Sequence, residues 1–232
     1  MVLGFNTEIF SYDEAEWEVP ISNYQDDFLG SNADTMTVCG FQDRNAYVKE
    51  GSLRNGEVVS TAIMAYKVLD ELGVNHPEIA YDEEFDKLLI EEVPNSEPAY
   101  KVEHDPNEKS FYRNLAARAI LGDRDIYQNF LSCQRGNSQE FINIDFESSG
   151  YPIQNFLEET KHAMPLLAAN IGIDYERDRL DYWIDTFRET ADTESLESEL
   201  KGNQFVMEFW EGCRFDMEPS LHTILENLEP ER

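Results

Sequence analysis

Gly122-Asp123-Arg124-Asp125-Ile126-Tyr127-Gln128-Asn129-Phe130-Leu131, followed shortly by Phe141-Ile142-Asn143-Ile144-Asp145-Phe146-Glu147, decides how this chain reads. An acidic loop ends in an asparagine, an apolar strand and hairpin follow, and a second apolar strand delivers another aspartate. Two short strands joined by a tight turn place Asn129 and Asp145 side by side at one edge of a cleft. That set suits phosphoryl transfer from a nucleotide. One carboxylate receives or orients a hydroxyl proton, while an amide oxygen and a second carboxylate hold magnesium against the phosphates. An ordinary hairpin with acidic ends, in a chain crowded with acids, accounts for the same residues, and both readings stand at this point.

Composition narrows the field. With 232 residues, 41% apolar and 12% aromatic, the chain can bury a core as one domain or two small lobes. It carries 48 acidic against 18 basic residues, a net charge of -30, and the acids are spread along the whole length. That is a solvated acidic surface, not an interaction tail. Like charges repel across the compact state, and about 1 M salt, with a Debye length of roughly 3 Å, largely screens them. Lysine is also scarcer than arginine. The pattern resembles the proteins of haloarchaea and predicts a salt-rich cytoplasm. A negative surface that mimics DNA is the competing explanation.

Cys39, Cys133 and Cys213 are widely separated, and His76, His104, His162 and His222 form no zinc motif, which predicts a reduced intracellular setting. The opening Met1-Val2-Leu3-Gly4-Phe5 has no basic n-region, and no apolar run reaches membrane-spanning length, so neither a signal peptide nor a membrane partner is expected. Direct nucleic-acid binding is disfavoured, because a phosphate backbone needs a basic stripe.

Outward from the opening stretch, the first hundred residues read mostly as strands with one helix. Residues 1–30 are acidic and aromatic, with Pro20 breaking any long element. Thr35 to Phe41 and Asn45 to Lys49 form a predicted hairpin across Gln42-Asp43-Arg44. Gly30-Ser31-Asn32, just ahead, is either a plain turn or one whose backbone amides approach phosphate. Val58, Val59, Ala62, Ile63, Tyr66, Leu69 and Leu72 recur at helical spacing, and Gly73 supplies the stop. His76 to Tyr81 and Lys87 to Val93 read as strands, closed by Pro94 and Pro98. Asn107 to Leu121 turns helical. After Gly150-Tyr151-Pro152 the remainder is helical, in segments 155–171, 175–191, 195–201, 204–212 and 220–228. Tyr182, Trp183, Phe187, Phe209 and Trp210 are expected in the core. The composition shift at 94–106 marks a boundary.

This order of elements resembles the protein-kinase-like fold, particularly the branch of the phosphatidylinositol 3- and 4-kinases and the HipA-type toxin kinases. The resemblance covers roughly residues 28–150. It implies an α+β, bilobal architecture: a strand-rich N-lobe over 1–98 carrying one helix, and a helical C-lobe over 99–232. Gly122-Asp123-Arg124 and Asn129 resemble the branch's catalytic loop, and Ile144-Asp145-Phe146 its metal-binding step. Tyr47-Val48-Lys49 is similar to the strand with the ATP-binding lysine, Glu57 stands where its partner glutamate would be, and Gly30 and Ser31 fall where a loop covers the phosphates.

The implied roles follow from charge. Lys49 sits on the phosphates, oriented by Glu57; the other reading of that pair is a surface ion pair. Asp145 ligates magnesium and Asn129 assists through its amide oxygen. Asp123 is the base or orients the acceptor hydroxyl, with Arg124 balancing the local negative charge. Three departures stand out. Asp123 lies one position farther from Asn129 than the family's catalytic aspartate does from its asparagine, and Asp125 one position nearer. Asp125 replaces the family's histidine, so the two aspartates can exchange roles. Glu147 stands where many relatives have glycine.

The resemblance thus implies an ATP- and magnesium-dependent phosphotransferase acting on a protein hydroxyl, as HipA-type relatives do. A lipid acceptor is disfavoured, because an anionic surface repels this chain and no basic amphipathic helix docks it; a small-molecule acceptor stays open. A pseudokinase that holds nucleotide without transfer, and an acidic decoy for a DNA-binding protein, are the alternatives.

Overall fold

The computed structural model describes residues 16–20, 36–41, 44–50, 56–77, 79–82, 87–91, 93, 96–99, 106–124, 126, 129–135, 138–144, 146, 149–202 and 217–229. Alternating apolar residues with tight turns build a five-stranded antiparallel sheet in the order β1-β2-β3-β5-β4. Its strands are β1 (Glu16–Pro20), β2 (Met36–Phe41), β3 (Arg44–Glu50), β4 (Ile79–Asp82) and β5 (Lys87–Glu91). The expected β2–β3 hairpin is present, with Phe41 opposite Arg44 and Met36 opposite Lys49. β1 adds an edge strand within the stretch read as broken by Pro20. It carries a register shift between Trp17 and Val19 and ends at Pro20, where a missing N–H is cheapest on an edge.

Helix α1 (Gly56–Glu71) connects β3 to β4. Ala62, Ile63, Met64, Ala65, Tyr66, Val68 and Leu69 are all at most 1% exposed, so the helix is covered on more than one face. It stops where the sequence predicts. Gly73 takes φ 59°, its N–H donates to the Asp70 carbonyl at 2.9 Å, and Val74 N–H donates to the Leu69 carbonyl at 2.9 Å. Glycine supplies the left-handed residue this closure needs.

A second, three-stranded sheet consists of β6 (Ser96–Pro98), β7 (Phe130–Arg135) and β8 (Ser138–Asn143). β6 was not anticipated. It pairs with β7, Pro98 opposite Leu131, so the expected division after residue 98 falls immediately beyond a strand that belongs with this hairpin. Helix α2 (Glu108–Leu121) lies against the sheet, capped by Asn107, whose side chain accepts from Ser110 N–H at 3.1 Å. Phe111 of α2 meets Phe130 and Phe141 with ring centroids 5.7 and 5.6 Å away, and those two rings stack on each other at 5.3 Å. Aromatic packing of this kind fixes the hairpin on the helix.

The rest is helical: α3 (Ile153–Thr160), α4 (Ala163–Asn170), α5 (Arg177–Thr190), α6 (Thr193–Gly202) and α7 (Met217–Leu228). The single helix expected over 155–171 is two. Pro165 lacks an N–H and its ring clashes with the carbonyl one turn back, so a helix containing it must restart just before it. α5 buries Leu180, Ile184 and Phe187, with Trp183 partly covered, while Tyr182 on the opposite side is 63% exposed and leaves the expected core list. The expected helix 204–212, with Phe209 and Trp210, lies outside the described residues. Asn227 of α7 ties distant segments together: it accepts from Ile153 N–H at 2.8 Å and donates to the carbonyls of Ile120 and Tyr151 at 2.8 and 3.0 Å. The buried core runs without a break from α1 into these helices. Among the described residues no helix is long and apolar enough to cross a membrane.

Candidate functional site

The candidate site grows from the end of α2. Gly122, at φ 64°, closes the helix: its N–H donates to the Ala119 carbonyl at 3.1 Å, and Asp123 N–H donates to the Arg118 carbonyl at 3.2 Å. This closure brings residues 118 and 123 face to face, a contact that is usually apolar. Here it is an ion pair. Arg118 Nη1 donates to Asp123 Oδ1 at 3.0 Å, and both residues are 0% exposed. Ser149 Oγ donates to the second carboxylate oxygen at 3.4 Å.

Arg118 uses the rest of its fork on the hairpin. Nε donates to Asn143 Oδ1 at 3.2 Å, and Nη2 donates to the main-chain carbonyls of Asn129 at 3.0 Å and Ile144 at 2.6 Å. Its guanidinium lies 4.8 Å from the centre of the Phe146 ring. Asn143 is itself held, donating through Nδ2 to the Asn114 carbonyl at 2.8 Å. A buried guanidinium is tolerated only when its donors are satisfied, and this one has a counter-charge and three further acceptors.

Asn129 and Ile144 extend the hairpin by one rung. Ile144 N–H donates to the Asn129 carbonyl at 3.0 Å, so the asparagine ending the acidic loop lies beside the residue preceding Asp145. On the other side of Asp145 in the chain, Phe146 is fully buried and meets Tyr66 of α1 edge-on, ring centroids 5.3 Å apart. Both chain neighbours of Asp145 are therefore fixed, one by the hairpin and Arg118, the other by α1.

The residues expected from the sequence are distributed as follows. Asp123 is sealed in its ion pair, where no substrate hydroxyl reaches it unless the pair opens. Arg124 reaches α3: its Nη1 donates to Glu159 Oε2 at 2.6 Å, and its guanidinium stacks 3.8 Å from the Tyr151 ring centre. The hydrogen bond to Glu159 raises the Arg124 pKa. With both partners more than a third exposed, that ion pair contributes only about 0–1 kcal/mol. Asn129 is partly exposed. Lys49 occupies β3, an interior strand, with Met36 and Leu88 as its neighbours across the ladder. Glu57 lies in the first turn of α1. The side chains of Lys49 and Glu57, and the whole of Gly30, Ser31, Asp125, Asp145 and Glu147, lie outside the described residues.

Arg118 is the residue that reading by pattern passed over. It interrupts the apolar run Leu115-Ala116-Ala117-Arg118-Ala119-Ile120-Leu121, directly ahead of Gly122-Asp123. An arginine interrupting an apolar run, spaced across a glycine stop from an aspartate, is the signal for such a pair.

Among the described residues no three His, Cys, Asp or Glu side chains gather into a metal cage. A magnesium ion carried by a nucleotide needs none, since it takes one or two protein oxygens and fills the remainder with phosphate and water. The amide of Asn129 and the carboxylate of Asp145 are hard oxygen donors of that kind, and the bonded rung places Asn129 beside Ile144, the residue before Asp145.

No protein-family model matches the sequence, and no curated protein does. Solved structures do. The choline kinase LicA of Streptococcus pneumoniae is 12% identical, with a TM-score of 0.38 over 90% of this chain and 95% of that one. The proinflammatory kinase CtkA of Helicobacter pylori is 13% identical, with a TM-score of 0.53 over 88% of this chain and 90% of that one. The likeness to CtkA shows the fold: the chain has an α+β, protein-kinase-like fold.

Proposed function

We propose that this chain is an ATP- and magnesium-dependent phosphotransferase, with a protein serine or threonine hydroxyl as acceptor. The observation carrying the proposal is the junction at which Asn129 bonds to Ile144 beside Asp145, in a chain that folds like a kinase. Asn129 and Asp145 would hold the magnesium, which on binding neutralises charge on the phosphates. Lys49, paired with Glu57, would orient those phosphates, and Gly30 and Ser31 would cover them. A nucleotide between a strand-rich lobe and a helical lobe would meet these groups from both sides.

The burial of Asp123 favours Asp125 as the group that receives or orients the acceptor proton. A carboxylate committed to a guanidinium is a poor acceptor, and losing that counter-charge would strand Arg118. Asp123 is then a structural anion and Arg124 a surface tie to α3. A protein acceptor is favoured over a lipid head group because a net charge of -30 repels anionic membrane surfaces. The same charge favours a salt-rich cytoplasm as the working environment.

The buried state of Asp123 also supports the second reading, a module that holds nucleotide without transferring phosphate. Thermal unfolding in molar potassium chloride, with and without ATP and magnesium, tests the site itself. At 100 times the dissociation constant the nucleotide should stabilise the fold by about 2.7 kcal/mol. The shift should vanish in Asp145→Ala and in Lys49→Ala. Absence of any shift in the wild type would overturn the nucleotide reading; a shift without phosphate transfer to any hydroxyl would favour the module.

A further inference from the structure

We infer that Arg118 is a positioning residue for the candidate magnesium site, fixing the main chain at Asn129 and at Ile144, the residue before Asp145, with Asp123 as its buried counter-charge; the inference rests on the nucleotide-site reading above. Four groups from separate points of the chain meet on one guanidinium: the Asp123 carboxylate, the Asn143 amide oxygen, and the carbonyls of Asn129 and Ile144. The last two share a single nitrogen, Nη2, and are bonded to each other through Ile144 N–H and Asn129 O.

The main chain at Asn129 and at the residue before Asp145 is thereby clamped to one planar group. A planar fork fixes several acceptors at set angles; a lysine ammonium at the same place keeps the charge opposite Asp123 but cannot span them. Arg118 is 0% exposed and so acts on a metal only through the residues it holds. Groups that orient metal ligands in this manner typically contribute 10–100-fold to metal affinity. Burial of the ion pair also explains why the loop tolerates a sealed aspartate: the carboxylate neutralises the clamp.

The test is a magnesium titration of the ATP-dependent thermal stabilisation of the whole chain in molar potassium chloride, with ATP affinity in EDTA measured alongside by calorimetry. Arg118→Lys should raise the half-saturating magnesium concentration by about 10–100-fold and leave ATP affinity in EDTA unchanged. Leu200→Ala, a core change in α6, should lower the melting temperature without moving the magnesium midpoint. An unshifted midpoint in folded Arg118→Lys, or an equal shift in Leu200→Ala, overturns the inference. Should Arg118→Lys fail to fold, Asn143→Ala decides, since it removes one acceptor and leaves the ion pair; a raised midpoint supports the clamp, and an unchanged one overturns it. A wild-type chain with no magnesium-dependent ATP stabilisation overturns the underlying reading itself, and the clamp with it.

Discussion

Arg118 and Asp123 close the end of α2 with a buried ion pair at 3.0 Å, at the place where helices ending in glycine usually close on an apolar contact. One of two neighbouring aspartates is thereby committed to architecture. That commitment distinguishes Asp123 from Asp125, two carboxylates which the sequence alone leaves interchangeable.

Asp123→Ala should destabilise the fold by about 3–5 kcal/mol, because it strands a buried guanidinium. Asp125→Asn should leave the melting temperature near the wild-type value and lower phosphate transfer by roughly 10²–10⁴-fold, the usual share of a general base. Thermal unfolding and a transfer assay on both variants check the assignment. A stable Asp123→Ala chain without transfer would return the base role to Asp123.

Gly122→Ala should be among the most damaging loop changes in the protein. The backbone there has φ 64°, and a Cβ would overlap the carbonyl of Tyr151, whose chain crosses directly over the helix end. Main-chain atoms cannot step aside as a flexible side chain can. The expected outcome is loss of soluble, cooperatively unfolding protein at any salt concentration, and an unaltered melting curve would refute the close crossing.

Alkali should unfold the protein through Tyr175. Burial pushes its hydroxyl up to about 12, against an ordinary tyrosine near 10. The folded state therefore keeps its proton where the unfolded chain has lost it. The stability tied to that proton is complete below about pH 10 and declines as pH rises toward 12. Tyr112, packed against Tyr175 and also raised chiefly by burial, adds to the same loss. Tyr175→Phe should be nearly neutral at pH 7, since the hydroxyl's recorded partner is the Met164 sulfur at 3.7 Å, and should shift the alkaline unfolding midpoint upward. Unfolding followed by circular dichroism between pH 8 and 12 reads the difference.

Salt should stabilise the chain well beyond the range where surface pairs are screened away. Raising potassium chloride from about 0.1 M to 1 M shortens the Debye length from about 10 Å to 3 Å. Repulsion within a net charge of -30 falls accordingly. A melting temperature that climbs steadily over that range is expected. A flat or falling one would remove the case for a salt-rich environment and return attention to basic protein partners.

Much of the fold was legible because its elements carry local punctuation. The β2–β3 hairpin, α1 with its Gly73 stop and α2 with its Asn107 cap lie within a residue or two of their expected bounds. β1 escaped because its identity comes from pairing with β2, a partner distant in sequence, and Pro20 masks the strand pattern. The break between α3 and α4 was legible in Pro165 but was overridden by the apolar period on either side. For the site, the rung joining Asn129 to Ile144 across the hairpin was readable, since register follows from the turn. Arg118 was not, because its meaning depends on four acceptors that only the folded backbone assembles. Tyr182 shows the reverse error, an aromatic residue assigned to the core by type when its angular position on α5 turns it to solvent.

Asn227 adds a matter of timing. Its side chain fastens Ile120, at the end of α2, and Tyr151 and Ile153, which cross and follow the loop, over sequence separations of 107, 76 and 74 residues. A ribosome delivers the loop first and its fastener much later. Contacts of such range form late in folding, after the intervening chain has been ordered. The end of α2, directly ahead of Asp123, therefore waits during synthesis for a helix made long after it, and a nascent chain that already displays every candidate site residue still lacks the brace that ties Ile120 to Tyr151 and Ile153.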